Sequence, residues 1–185
     1  MAEDDRLRWD TRYSQSDLLP ITGIGPPRAF VSFESEFPSQ GRGLDLACGR
    51  GSGAVWLAHR GLEVLGVDVS PVAVEMSRDL AERSGVGDRC RFEVFDLDHG
   101  LPDGPPVDVI LSNMFRGREL DRAIVDRLAA GGLLAVAVLS EVDSVPGPFR
   151  IRRGELRRAF PTLEIVDEGE GDGRAWILAR SVDGE

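Results

Sequence analysis

The chain has no lysine, so all 22 of its basic residues are arginines. A lysine Schiff base, a lysine general base and a phosphate-loop lysine are excluded together. Cysteine and histidine are almost as scarce, with Cys48, Cys90, His59 and His99 the full set. Two cysteines cannot build a disulfide framework or a four-cysteine metal site, and no ligand spacing supports zinc. Long apolar runs are missing as well, since none approaches the ~20 residues of a membrane-spanning helix. The first residues offer Glu3, Asp4 and Asp5 where a secretion signal would be basic and then apolar. Positive charge is in deficit, and 32 acidic residues leave a net charge of −10. The averaged field repels phosphate backbones and anionic lipid headgroups, so neither nucleic acid nor a membrane is expected as a partner. Together these absences describe a soluble cytoplasmic protein with no metal site.

What is present suffices for a core: 42% of the 185 residues are hydrophobic and 29% are charged. The length predicts one domain over 1–185, with a cap segment over 1–42 ahead of an α/β core over 43–185. In that core, β-rich runs at 43–46, 63–68, 91–95, 107–112 and 133–139 alternate with helical patterns at 54–60, 71–84 and 119–128. The alternation predicts a parallel sheet made of βαβ units. Ser70 and Pro71 supply a cap and a first helical residue, and Gly131-Gly132 follow the third helix. Further on, a helix is predicted at 154–160 and strands at 163–166 and 175–179, separated by an acidic, glycine-rich turn over 167–173. Such a connection is too short for a parallel crossover, so the last two strands should form an antiparallel hairpin. Ahead of the sheet, 7–13 reads as a short helix and 17–27, rich in proline and glycine, as irregular chain.

The chemistry concentrates at the ends of these strands. Leu44-Asp45-Leu46-Ala47-Cys48-Gly49-Arg50-Gly51-Ser52-Gly53 runs from a strand through a glycine turn into a helix, where backbone can approach a ligand closely. Gly49, Gly51 and Ala54 satisfy the spacing of a dinucleotide loop, so the glycines alone leave a nicotinamide cofactor and other adenosyl ligands open. Asp45 weighs more. A carboxylate there would face a doubly anionic pyrophosphate at a costly distance, whereas the ammonium and sulfonium of S-adenosylmethionine match its charge. Nineteen residues beyond Gly49, the second strand ends in Asp68, placed to accept hydrogen bonds from two ribose hydroxyls. Asp96 ends the third strand, where it could take an adenine amino group while Val69 and Leu97 cover the ring.

Through Asp45-Leu46-Ala47-Cys48-Gly49-Arg50-Gly51-Ser52-Gly53, the Val67-Asp68-Val69-Ser70-Pro71 stretch, Phe95-Asp96-Leu97-Asp98 and Asp108-Val109-Ile110-Leu111-Ser112-Asn113, the sequence resembles the class I S-adenosylmethionine-dependent methyltransferases. The resemblance covers roughly 43–139. It implies a Rossmann-like, doubly wound sheet of seven strands, mostly parallel with an antiparallel C-terminal hairpin, and S-adenosylmethionine as cofactor with S-adenosylhomocysteine as product. It also implies Asp45, Ala47, Gly49 and Gly51 near the methionine part, Asp68 at the ribose, and Asp96 with Leu97 at the adenine. Within that group the sequence is most similar to the small tellurite-resistance-like methyltransferases, through Trp9-Asp10-Thr11-Arg12-Tyr13, the 145–151 stretch and Gly154-Glu155-Leu156-Arg157-Arg158. Those proteins carry a longer final hairpin with a histidine directed at the substrate. This chain has no histidine there, which counts against an oxyanion acceptor.

Methyl transfer from a sulfonium has an excellent leaving group and can rest on alignment and desolvation, so no dedicated base is assigned. The 112–116 segment after the fourth strand should face the methyl group, with Asn113 toward the cofactor and Phe115 and Arg116 toward the acceptor. Trp9 and Tyr13, four apart on the first helix, could cover the cofactor, with Tyr13 reaching the acceptor and Arg12 the cofactor's carboxylate. Cys48 and Cys90 read as small hydrophobes, and His59 and His99 are not assigned to catalysis. The expected function is a methyltransferase acting on a small molecule, such as a thiol, amine, oxyanion or natural-product intermediate. A nicotinamide-dependent oxidoreductase and a catalytically inactive cofactor-binding module are the alternatives.

Overall fold

The computed structural model describes residues 2–147 and 149–182; the predicted domain limits at 1 and 185, and Pro148 within the 145–151 stretch, lie outside the described residues. Helix α1 (Ala2–Ser14) and a 3-10 segment (Arg28–Glu36) precede the sheet. The core then follows as β1 (Arg42–Leu46), α2 (Ser52–His59), β2 (Glu63–Asp68), α3 (Pro71–Arg83), β3 (Cys90–Val94) and β4 (Val107–Asn113). After these come α4 (Asp121–Arg127), β5 (Leu128–Ser140), β6 (Arg150–Ile151), α5 (Glu155–Ala159), β7 (Glu164–Gly171) and β8 (Arg174–Arg180). The strands lie in the order β3-β2-β1-β4-β5-β8-β7, and the two-residue β6 pairs with the end of β5. β8 is antiparallel to both neighbours, and the other pairings are parallel.

Strand alternation assigns each side chain to one of two layers. Leu44, Leu46, Ile110, Leu134 and Val136 join a core with Ile124 of α4 and Phe160 beyond α5. The intervening Val109, Leu111, Leu133 and Ala135 face α2, Phe30 and Phe37 on the opposite layer. Asp45, between Leu44 and Leu46, therefore points into the α2 layer. Helix α3 starts as its sequence predicts: the Ala73 N–H donates to Ser70 Oγ at 3.1 Å, and Pro71 needs no partner in the first turn.

One expectation needs correction. The 167–173 stretch is not a long turn. β7 continues to Gly171, and a two-residue turn of Asp172 (φ 50) and Gly173 (φ 71) joins it to β8, the geometry that suits the twist of paired strands. Its glycines and acids lack β-branched side chains, and pairing with Trp176 and Ile177 supplies what local preference does not. The seven expected strands form the continuous order, and the two-residue β6 adds a short pairing beside the end of β5.

Candidate functional site

The order of β1 and β4 at the sheet's centre marks its switch point: β1 leads outward to β2 and β3, whereas β4 leads the other way. In open α/β sheets, ligands bind in the crevice beyond the carboxyl ends at such a point. Here the crevice opens into a cavity of about 420 Å³ lined by Asp45, Ala47 and Cys48 from β1 and its turn, Ser52 and Gly53 from α2, and Asn113 from the end of β4. Its opposite wall comes from 19–31, including Leu19, Ile24, Pro26, Pro27 and Val31. Arg50 Nη1 donates to the Asp17 carbonyl at 2.8 Å and Arg83 Nη2 to the Leu19 carbonyl at 3.1 Å, fastening that segment across the sheet.

The turn after β1 is shaped for close approach. Ala47 takes a left-handed backbone (φ 50), and the Cys48 N–H is anchored by the Val67 carbonyl at 2.9 Å. At Gly51 (φ 83) a Cβ would stand 2.8 Å from Ser77 Cβ and 3.0 Å from Ser77 Cα. A Cβ at Gly53 would stand 2.7 Å from Leu111 and 2.9 Å from Asp45 Oδ2, so this glycine lets α2 settle on the carboxylate.

Asp45 is only 3% exposed, and no cation pairs with it among the described residues. Burial drives its carboxyl up to about 7, against the pull of the Ala54 N–H and with a further push from the Asp68 charge. Asp68 Oδ2 accepts from the Gly49 N–H at 2.8 Å and Oδ1 from the Ser70 N–H at 3.0 Å. Burial raises this carboxyl too, opposed by those two N–H groups. Each oxygen keeps a second lone pair, so the residue can still receive a diol.

Helix α1 lies over this end of the crevice. Ser70 Oγ donates to Asp10 Oδ1 at 2.5 Å, and Asp10 also pairs with Arg6 at 2.9 Å. A Cβ added at Gly49 would meet the Tyr13 hydroxyl at 3.0 Å, and Tyr13 stacks on Trp9 with ring centroids 5.7 Å apart. Burial, and then the Asp68 charge, pushes the Tyr13 phenol up to about 12. Arg12 is exposed, with its guanidinium 5.2 Å from the Trp9 ring centre.

The remaining predicted residues divide. Asn113 joins the cavity beside Asp45 and Ala47, whereas Val69 and half-buried Asp96 lie beyond its lining. Asp96 caps the short turn that follows it, accepting from the Asp98 N–H at 2.9 Å, and Leu97 is buried in the α4-side core. Phe115 and Arg116 lie away from the cavity. Met114 takes a left-handed backbone (φ 66), and the reversal sends the next side chains into the opposite layer. Arg116 is held there by Asp121 at 2.5 and 2.8 Å, with Glu155 at 3.6 Å, so it is not free to grip a ligand. Cys48 has its thiol pushed well up by burial and by Asp45, and burial carries Cys90 up to about 12, so neither is a nucleophile. The wall at 19–31 had no residue-level signal beyond its prolines and glycines, and Ser52, Gly53 and Leu111 lie inside the recognised motifs without having been assigned to the site.

Residues 44–132 match the family model described as a methyltransferase domain. That stretch, a little under half of the chain, is similar to S-adenosylmethionine-dependent methyltransferases, and the fold is theirs. The match spans β1 to β5, the part that builds the glycine turn and the buried acids. Among curated relatives, the ribosomal protein L11 methyltransferase of Photobacterium profundum is 36% identical over 104 residues, covering 55% of this chain and 34% of that protein. The chain thus spans about a third of the length of the curated relatives it matches. In architecture the domain is similar to TehB from Haemophilus influenzae (TM-score 0.73, 18% identity, 84% of this chain and 62% of that one). It is also similar to geranyl diphosphate C-methyltransferase from Streptomyces coelicolor, with a TM-score of 0.71 and 18% identity over 98% of this chain and 97% of that one. That structure was solved with S-adenosylhomocysteine.

The residues of this chain fit the same cofactor. A buried carboxyl with no cation paired to it among the described residues, in a cavity lined by no other charged side chain, suits a ligand with an ammonium better than one with a pyrophosphate. Among the described residues no group of three or more metal-ligating side chains is gathered, and no helix is long and apolar enough to cross a membrane.

Proposed function

We propose that this protein methylates a small-molecule acceptor, with S-adenosylmethionine held between the β1 turn and the 19–31 wall. Asp45 receives the cofactor's ammonium, Gly49 and Gly51 allow its methionine part to approach the turn, and Asp68 receives the ribose beneath Tyr13. Bound there, S-adenosylmethionine supplies a methyl group on a sulfonium that leaves as a neutral thioether. The protein's share is alignment and exclusion of water: Asn113 borders the reacting region, and apolar side chains of the wall keep it dry.

The observation that carries this reading is Asp45, a buried carboxyl with no cation paired to it among the described residues, in a cavity of about 420 Å³. A small acceptor is supported by the wall at 19–31, which encloses the site with the chain's own residues. Calorimetric titration with S-adenosylhomocysteine and with NADH tests the cofactor: binding of the first alone is expected, and binding of the dinucleotide alone would replace the reading with an oxidoreductase. Release of S-adenosylhomocysteine from S-adenosylmethionine in the presence of acceptors separates an enzyme from an inactive binding module. A protein acceptor is the second reading, favoured by the name of the curated relatives. Transfer of labelled methyl to ribosomal protein L11, and not to small acceptors, would establish it.

A further inference from the structure

The cavity wall hangs on two guanidinium groups, and one of them belongs to the turn after β1. Residues 17–26 form no helix or strand, and among the described residues no backbone–backbone hydrogen bond reaches them. Two side chains donate to the segment instead: Arg50 Nη1 to the Asp17 carbonyl at 2.8 Å and Arg83 Nη2 to the Leu19 carbonyl at 3.1 Å. Leu19 and Ile24 add packing against the α2-side core, but such contact is non-directional and does not by itself fix where the carbonyls lie. The two arginines differ in what stands behind them. Arg83 closes the last turn of α3 and is braced by Asp79 at 2.7 Å, so the helix sets its place whatever fills the crevice. Arg50 lies between Gly49 (φ 56) and Gly51 (φ 83), in the turn that meets the methionine part of the cofactor in the reading on which this inference rests. Its charge also reaches the end of α1: burial and then Asp68 push the Tyr13 phenol up, and Arg12 and Arg50 pull against them.

A glycine on each side leaves the Arg50 backbone loosely constrained until something rests on the turn. A ligand that settles there fixes the origin of the guanidinium, and the Asp17 carbonyl is then held at a defined point. We infer that Arg50 is a positioning residue, through which an occupied methionine turn draws the wall at 19–31 into place over the cofactor. The coupling is reciprocal: whatever factor the cofactor adds to the ordering of the wall, the ordered wall returns to cofactor affinity. Loss of the Arg50 contact should cost both together. Loss of the Arg83 contact should loosen the wall without severing it from the turn.

The test follows hydrogen exchange of peptides within 15–31, with and without saturating S-adenosylhomocysteine, in the unaltered protein, Arg50→Met, Arg50→Lys and Arg83→Met. In the unaltered protein the ligand should slow exchange there by about fivefold or more, the lower end of ordinary coupling between sites. Arg50→Met keeps an apolar stem without a donor; it should show at least about fivefold less of that protection and bind S-adenosylhomocysteine about fivefold or more weakly in calorimetry. Arg50→Lys keeps a cationic donor and should recover most of both. Arg83→Met should speed exchange in the ligand-free protein and keep the ligand's effect within about twofold of the unaltered value. Direct contact of ligand with the wall contributes in every one of these proteins and cancels in the comparison. Full protection retained in Arg50→Met would overturn the inference, as would an equal loss of protection in Arg83→Met, because a merely structural latch treats the two arginines alike. Failure of the unaltered protein to bind S-adenosylhomocysteine would instead remove the cofactor reading beneath it, so the two failures are distinct.

Discussion

Cofactor affinity should climb with pH through neutrality, and Asp45 sets the scale. In the ligand-free protein burial holds its carboxyl near 7, so it is about one-tenth ionised at about pH 6, half at about pH 7 and nine-tenths at about pH 8. A ligand ammonium is welcomed only by the ionised form. Affinity for S-adenosylhomocysteine is therefore expected to rise about fivefold over the first of those intervals and about twofold over the second, roughly 1.4 kcal/mol in all. Above about pH 8 the ligand's own α-amino group begins to lose its proton, and the curve should level and fall. Calorimetry in two buffers of different ionisation heat reads both parts, because binding at about pH 7 should release about half a proton from Asp45. Asp45→Asn should bind about 10–100-fold more weakly at the optimum, the worth of a charged hydrogen bond, and should lose the acid limb. Affinity that stays flat between about pH 6 and 7.5, with no proton released, would refute the placement of the ammonium on Asp45.

The same shift bears on stability with the opposite slope. Folding raises the Asp45 carboxyl above its unfolded value of 3.8, so its contribution is present below that value and is lost as pH rises through about 7. Unfolding free energies of ligand-free protein and Asp45→Asn, from urea titration, should diverge between about pH 4 and pH 7 in favour of the variant, by a few kcal/mol at most; parallel curves would contradict this. Asp68→Ala strips the acceptor from the Gly49 and Ser70 N–H groups, and should lower stability by about 2–4 kcal/mol and the melting temperature by about 4–16 °C. Its cofactor dissociation constant should rise about tenfold or more, and an unchanged value would place the ribose elsewhere. Arg116→Gln leaves Asp121 without its cation while Glu155 keeps Arg118 at 2.7 Å, so a loss of about 2–4 kcal/mol is expected in thermal unfolding. KM for the acceptor should not change, and a large rise in KM would return Arg116 to the acceptor site.

Where the sequence could be read, a local pattern and the tertiary outcome agreed. Residues 63–68 are bounded by Gly61 and by the cap at Ser70, and β2 has those limits. Asp45 could be placed on a strand that runs into a glycine turn and Asp68 at a strand end just before the Ser70 cap, and the structure has both strands ending there. Arg116 was unreadable because its partners are Asp121, off the spacing of one helix face, and Glu155, which only the fold brings near. The cavity wall at 19–31 posed the same difficulty: it has no period, and its position depends on Arg50 and Arg83 reaching out from distant turns and helices. In the last hairpin, Glu-Gly alternation concealed a strand whose turn was signalled only by Asp172-Gly173.

The first helix reaches the sheet mainly through one hydroxyl contact at Ser70 and one aromatic ring at Gly49, rather than by a broad oily seam. A clasp so narrow can lift while the strands beneath stay folded. If ligand passes at the Asp68 end, its release should require those two contacts to open. Slower exchange of spent nucleoside than of methylated product is the expected signature in rapid-mixing experiments, and equal release rates would deny the clasp that role.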